Sequence, residues 1–131
     1  MTKTEQMEAI MAAIEGTTTD DLQTPQHLQE YLIRLTSWLA SANEYMANAG
    51  HSYDIAKRDA YIRLKDEIVG KGATFAPSIA KDYIASLCSA QGANYRFAER
   101  TSRTITHTIE AMRSVISSKK AELTHLQYSG G

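Results

Sequence analysis

PQHLQEYLIRLTSWLASANEYMANAGHSYDIAKRDA, residues 25–60, carries a repeat that predicts an α-helical fold. Apolar and small residues recur there at alternating steps of four and three: Leu28, Leu32, Leu35, Leu39, Ala42, Met46, Ala49, Tyr53, Ala56 and Ala60. This spacing is typical of a coiled-coil helix. Past Ala60 the steps become four and four, through Leu64 and Ile68, which locally unwinds a supercoil. We therefore expect one long helix over residues 25–69, in which Gly50 can mark a bend or a break.

The same alternation returns after a short segment rich in turn residues. GKGATFAP, residues 70–77, has two glycines and a proline and predicts a turn. A second helix is predicted over residues 78–125, with a seam of Ile84, Cys88, Gln91, Tyr95, Ala98, Ser102, Ile105, Ile109, Met112, Ile116, Lys119 and Leu123. Two long seams joined by one turn predict an all-α fold, a long antiparallel, coiled-coil-like helical hairpin.

A shorter amphipathic helix is predicted ahead of the hairpin, over residues 3–15. Thr2 and Glu5 have the spacing of a capping box, which satisfies free backbone N–H groups at a helix start. Four apolar residues then share one helical face: Met7, Ile10, Met11 and Ile14. The pattern predicts a helix that packs on the hairpin or on a second chain.

The remaining segments are predicted to connect or to fray. Residues 16–23 are polar and form a linker before Thr24 and Pro25, a favourable helix start. Residues 126–131 form a flexible tail. With 131 residues the chain is expected to be a single domain, in which the role of residues 1–24 stays open.

The apolar face of the hairpin is predicted to be too wide for one partner helix. Three aromatic residues spaced by seven flank the first seam, and the most apolar part of the second seam lies opposite them. Either the first helix or a second copy covers this face, and we favour a homodimer that completes a helical bundle. The expected oligomer interface is Tyr31, Trp38, Tyr45, Ile109, Met112 and Ile116.

Charge argues against a general polyanion binder, because the net charge is −1. Residues 1–30 hold one basic and six acidic residues, whereas the remainder holds 13 basic and nine acidic residues. Local phosphate contact is therefore open, with Tyr61 and Tyr95 as stacking surfaces for bases. The candidate ligand or nucleic-acid contacts are Lys57, Arg58, Arg63, Arg96, Arg100 and Arg103. An ion-paired, solvent-facing surface is the alternative, and we favour it.

The sequence offers no recognisable catalytic or cofactor site. No two of the four histidines have the i, i+4 spacing of a helical metal site, and Gly70-Lys71-Gly72 is only part of a phosphate loop. Cys88 falls on a seam position, where a buried thiol is usually inert, and one cysteine forms no internal disulfide. We expect no enzyme, metal or cofactor, and a cytoplasmic protein without a signal peptide or membrane span.

Several residues resemble those of small all-helical proteins of tailed bacteriophages. They are Tyr53, Ala56, Lys57, Ala60, Tyr61, Gly70-Lys71-Gly72, Ile109, Arg113-Ser114, Ile116-Ser117, Lys119 and Glu122, and the most distinctive segment is MRSVISSKKAEL, residues 112–123. The resemblance covers residues 45–125. Such proteins are often encoded in early or recombination gene clusters, so it implies that context, within a bacterial host cell, and no catalytic residues.

Three functions are compatible with these features. The first is a non-catalytic phage accessory protein that acts by protein–protein contacts, with single-stranded DNA contact open, in DNA recombination or replication. The second is a phage inhibitor of a bacterial defence system, a nuclease or a nucleotide-signalling pathway, acting by occlusion or sequestration. The third is a structural or assembly scaffold. The expected partners are a second copy and another phage or host protein.

Overall fold

The computed structural model describes residues 1–72 and 76–129, and all regular elements within them are helical. The helices are α1 (Lys3–Glu15), α2 (Pro25–Lys71), α3 (Pro77–Leu87) and α4 (Ser89–Ser129), and a 3₁₀ turn spans Thr19–Leu22. The predicted all-α class is confirmed. Across these described ranges, no helix combines the length and the apolar character that crossing a membrane requires.

The threonine N-caps predicted for the first two helices are formed, and at Thr2 the bond recorded is the half of the capping box that Thr2 accepts. The backbone N–H of Glu5 donates to Thr2 Oγ1 at 3.1 Å, and that of His27 donates to Thr24 Oγ1 at 3.1 Å. Each bond satisfies a donor that the first helical turn leaves free. Helix α1 then spans Lys3–Glu15, the range that its apolar face predicts.

Helix α2 continues without interruption from Pro25 to Lys71. Gly50 therefore neither breaks nor ends it, and the predicted end at residue 69 is two residues too early. The helix ends where Gly72 takes φ +67, a left-handed conformation that costs glycine little. Of the predicted turn over residues 70–77, residues 73–75 lie outside the described residues.

The prediction of one continuous helix over residues 78–125 is wrong. Cys88 separates α3 from α4 with φ −108 and ψ 14, away from helical values. Its N–H still bonds Ile84 O at 3.1 Å, and Gly92 N–H bonds Cys88 O at 2.9 Å, so the break leaves these two hydrogen bonds intact. The predicted flexible tail also needs correction, because α4 extends to Ser129; residues 130–131 lie outside the described residues.

The chain, which we expected to be a single domain, divides into two compact units. Unit 1 contains Met1–Asn43 and Thr101–Gly131, and unit 2 contains Glu44–Arg100. Helices α2 and α4 each contribute a segment to both units.

Unit 1 combines α1 with the first part of α2 and the last part of α4. Ser102 Oγ of α4 donates to Asn43 Oδ1 of α2 at 2.6 Å. Leu28, earlier in α2, lines a cavity together with Met112, later in α4. The α2 and α4 segments therefore run antiparallel within this unit. Its buried residues are Met7, Ile10, Leu28, Tyr31, Leu35, Ala42, Thr101, Ile105 and Ile109.

Unit 2 combines the second part of α2 with α3 and the start of α4. The Tyr45 hydroxyl donates to Asn94 Oδ1, and the Tyr83 hydroxyl donates to Glu67 Oε2 at 3.0 Å. Residue numbers rise on α2 as they fall on its partners, so the packing is again antiparallel. The buried residues are Tyr45, Ala49, Ala60, Leu64, Cys88 and Ala98, together with Gly92.

The first seam is buried as its spacing predicts, and the second differs from its predicted pattern at two positions. All twelve first-seam positions from Leu28 to Ile68 are buried or half-buried. In the second seam Gln91 is exposed and its neighbour Gly92 is buried instead, and Leu123 is exposed. The other ten positions of the second seam are buried or half-buried.

Candidate protein-binding groove

Unit 1 contains two adjoining cavities that together form an open, partly apolar groove, here called the unit 1 groove. Their volumes are about 350 Å³ and about 180 Å³, and both are lined by Leu28 and Lys119. The first cavity is further lined by Thr17, Thr18, Thr19, Leu22, Gln23, Met112 and Val115. The second is further lined by Pro25, Gln29, Ile116, Lys120 and Leu123.

Helix caps and seam spacing place the apolar residues of this groove. Leu28 follows the Thr24 cap by one turn and is 1% exposed. Met112 and Ile116, spaced by four on α4, are half-buried. Leu123 continues the same seam but is 53% exposed. The groove therefore has a buried floor and an accessible apolar rim.

Two lysines give the groove a positive edge. Lys119 is half-buried and lines both cavities, whereas Lys120 is exposed and lines one. A lysine can cover apolar surface with its methylenes while its ammonium stays in water. In the part of the chain that the structure describes, neither lysine has an ion-pair partner within 4.0 Å. The site suits an apolar side chain flanked by carboxylates.

A 3₁₀ turn forms one wall of the groove. The Thr18 backbone N–H and hydroxyl donate to Asp21 Oδ2 at 2.9 Å and 3.0 Å, which fixes the start of the turn. These two bonds, the backbone bond first, lower the pKa of Asp21 from its ordinary 3.8. The polar linker predicted over residues 16–23 is thus locally ordered.

Three of the six residues of the predicted oligomer interface are buried within a single chain. Tyr31, Tyr45 and Ile109 are 4%, 6% and 6% exposed, so each is already covered. Trp38 is half-buried. In unit 1, Met7 and Ile10 of α1 are buried as well. Of the six residues, Met112 and Ile116 line the unit 1 groove, and Tyr45 belongs to unit 2.

The structure does not bring the six predicted cationic contacts together in one unit. Arg103 belongs to unit 1 and the other five belong to unit 2. The Arg100 guanidinium lies 5.5 Å from the centre of the Phe97 ring, and Lys57 Nζ lies 4.3 Å from that of Tyr53. Three of the five are also ion-paired: Lys57–Asp54 at 3.3 Å, Arg58–Asp59 at 3.7 Å and Arg63–Glu67 at 3.3 Å. The ion-paired, solvent-facing interpretation describes these three residues well.

Two features of the candidate sites were missed from the sequence. The first is the pair Lys119 and Lys120, which belong to residues 112–123, the segment whose resemblance we noted. The signal for the groove is Lys119, a polar residue at a seam position. A further cavity of about 460 Å³ lies in unit 2, lined by Ser52, Ile55, Ala56, Asp59, Ala60, Arg63, Leu87 and Gln91. Its signal is Ile55, an apolar residue outside the seam.

Residues 1–72 and 76–129 contain no group of three histidine, cysteine or acidic residues that could hold a metal ion. No protein-family model, curated protein or solved structure matches the chain. The resemblance to phage proteins therefore stays a prediction that rests on the residues quoted above.

Proposed function

We propose that this chain is a non-catalytic accessory protein of a tailed bacteriophage that acts by protein–protein contacts in DNA recombination or replication. The proposal of protein binding rests on the unit 1 groove, with its buried Leu28, its exposed Leu123 and its two lysines. The phage and DNA-metabolism context comes from the sequence resemblance alone.

The chemistry of the groove suggests the kind of segment it binds. An amphipathic helix can insert one apolar side chain between Leu28 and Ile116 and place carboxylates near Lys119 and Lys120. The apolar contact gives most of the affinity, and the lysines favour an acidic partner. The proposed partner is therefore a phage or host protein that exposes an acidic amphipathic helix.

Direct DNA binding has weaker support than protein binding. Lys57, Arg58 and Arg63 are engaged with carboxylates, which compete with phosphates for the same cations. We therefore expect little affinity for single-stranded oligonucleotides even at low salt. Binding that weakens steeply with salt and is lost in Arg96→Ala/Arg100→Ala would support direct DNA contact instead.

A photo-cross-linking residue at position 123 tests the groove in phage-infected cells. We expect an adduct with a recombination or replication protein, because Leu123 lies at the accessible rim. The matched control is position 33 in the same unit, where Ile33 is 70% exposed and lines neither cavity. Equal adducts from both positions, or none from position 123, would contradict the proposal.

Inhibition of a bacterial defence system is the second candidate, favoured by the acidic residues near the N-terminus. All six acidic residues of the first thirty, including Glu15, Asp20 and Asp21, are exposed. Such a surface suits occlusion of a basic nucleic-acid groove. Plaque assays on hosts with single defence systems test this, since rescue by the chain and loss of rescue in Glu15→Lys/Asp20→Lys are expected only for an inhibitor.

A further inference from the structure

Unit 1 contains a further cavity whose lining is mostly polar, here called the polar cavity. Its volume is about 300 Å³, and its lining residues are Thr17, Asp21, Leu22, His27, Tyr31 and Arg34. Five of the six have polar side chains, and all six belong to unit 1. The polar cavity shares Thr17 and Leu22 with the unit 1 groove, but it borders neither Lys119 nor Lys120. It is therefore a site of different chemistry from the groove.

Tyr31 brings a hydroxyl without a hydrogen-bond partner to the polar cavity. The residue is 4% exposed, and no described residue forms a hydrogen bond with its hydroxyl. Among the described side chains, no fully buried nitrogen or oxygen atom lacks a partner. The hydroxyl is therefore not sealed off, and it opens into the cavity that Tyr31 lines. Because a buried tyrosine usually bonds its hydroxyl, a ligand atom in the cavity can serve as the acceptor.

Arg34 adds a positive charge beside this hydroxyl. Residues 31 and 34 are spaced by three on α2 and therefore share one helical face. Arg34 is exposed, and no carboxylate of the described residues lies within 4.0 Å of its guanidinium. A guanidinium binds a carboxylate through two parallel hydrogen bonds, and a tyrosine hydroxyl can donate one more. The two side chains together suit one carboxylate.

Asp21 also lines the polar cavity and limits the negative charge that the cavity can accept. The two bonds from Thr18 lower the pKa of Asp21 most, and the charge of His27 also lowers it, so Asp21 is ionised at neutral pH. The other acidic residues of the first thirty are exposed and do not line the cavity, so water and salt screen them. Asp21 repels a ligand with one negative charge less than a phosphate group, which carries nearly two.

We propose that the polar cavity binds a small monocarboxylic acid, whose carboxylate accepts hydrogen bonds from the Arg34 guanidinium and the Tyr31 hydroxyl. The cavity volume is at the lower end for small-molecule sites, so the ligand has few atoms. For a ligand of about five non-hydrogen atoms we expect a Kd in the millimolar range. This binding needs no partner protein and none of the groove lysines, so it does not depend on the proposed function.

NMR titration of the purified full-length chain tests the proposal with acetate, L-lactate and inorganic phosphate as probes. Sodium chloride at the same ionic strength is the reference. We expect acetate and L-lactate to shift the backbone amides of residues 27–34 and the Arg34 Nε–H resonance until they saturate. Phosphate should bind at least roughly tenfold more weakly, because it brings more negative charge against Asp21.

Two variants separate the proposed contacts from general effects of charge. Arg34→Gln removes the charge and should weaken acetate binding roughly tenfold or more, and Tyr31→Phe should weaken it roughly tenfold. The matched control is Arg113→Gln, which removes the same charge at an exposed residue of unit 1 that lines none of these cavities. It should bind acetate like the wild-type chain.

Urea unfolding without any acid distinguishes a ligand-binding hydroxyl from a structural one. Tyr31→Phe should be as stable as the wild-type chain, because the hydroxyl bonds no described residue. A destabilised Tyr31→Phe would show that the hydroxyl has a partner within the chain and would overturn the proposal. It would equally be overturned by the lack of a saturable shift with either acid, by phosphate binding as tight as that of the acids, or by unchanged acetate affinity in Arg34→Gln.

Discussion

At the scale of single residues, two glycines in unit 2 explain how its helices approach each other. A Cβ added at Gly50 of α2 would lie 3.1 Å from Cε2 of Tyr95, and one added at Gly92 of α4 would lie 3.3 Å from Cζ of Tyr53. The two tyrosine rings are themselves in contact, with centroids 6.1 Å apart. Each helix thus provides a glycine surface for a ring from the other.

We predict that Gly50→Ala destabilises the protein by about 1 kcal/mol. Alanine raises helix propensity by about 1 kcal/mol, but crowding a packed ring costs about 1–3 kcal/mol. Tyr53 limits the movement of Tyr95 away from the new methyl group. Urea unfolding gives the free energy directly.

Gly70→Ala is the control for this substitution, because nothing lies within 4 Å of a Cβ there and the residue is also in α2. It should stabilise by up to about 1 kcal/mol. In a Tyr95→Leu background, Gly50→Ala should become stabilising as well. If Gly50→Ala is stabilising in the wild-type chain, the glycine does not serve ring packing.

At the scale of secondary-structure elements, a hydrogen bond between Tyr83 and Glu67 joins α3 to α2. Tyr83 donates its hydroxyl to Glu67, which Arg63 also contacts at 3.3 Å. The bond from Tyr83, and then that from Arg63, lowers the pKa of Glu67 from its ordinary 4.5. Acceptance by Glu67 raises the pKa of Tyr83 above its ordinary 10.0.

We predict that the attachment of α3 weakens at both extremes of pH. The lowered Glu67 pKa stabilises the fold above 4.5 and loses that effect as pH falls through the folded value. The raised Tyr83 pKa stabilises it below 10.0 and loses that effect as pH rises through the folded value. Hydrogen exchange of α3 amides, normalised for intrinsic exchange, should therefore show least protection at the two ends.

Tyr83→Phe should reduce this dependence at both ends, because it removes the donor and leaves the ring. A matched control is Tyr61→Phe, since Tyr61 is 57% exposed on α2. An α3 protection profile with the same pH dependence in Tyr83→Phe would show that the bond to Glu67 does not hold the helix.

The sequence predicted those features of the helices that depend on neighbouring residues, and it missed those that depend on tertiary packing. Caps at Thr2 and Thr24 depend on adjacent residues and were found. The break at Cys88 was missed because no glycine or proline marks it. The packing of the Tyr95 ring against Gly50 could not be predicted, because only the tertiary fold brings these two residues together.

The candidate sites follow the same division. The seam predicted that the apolar residues Met112 and Ile116 face a partner helix. It could not predict that Lys119 borders two cavities, because those cavities also need the 3₁₀ turn Thr19–Leu22. The burial of half of the expected interface was missed for a related reason. Residue spacing predicts the width of an apolar face, but it does not predict which part of the chain covers that face.

At the scale of the whole molecule, the unit 1 groove is the surface on which the proposed function depends. It combines an apolar floor with two lysines, so it favours an unlike, acidic partner.

We predict that Leu123→Glu abolishes partner binding, because it replaces an apolar residue at the rim of the groove by a charged one. The matched control is Ile33→Glu, which makes the same kind of change at a residue that is 70% exposed and lines neither cavity. Partner capture measured on both variants gives this comparison; equal loss of binding in the two would mean that the groove is not the binding surface.

Cross-linking from position 123 during phage infection tests most directly whether this chain works by binding another protein. We predict an adduct with a second, different protein, because Leu123 lies at the accessible rim of the groove. An adduct only with another copy of the chain, or none at all, would contradict a protein-binding role for the groove.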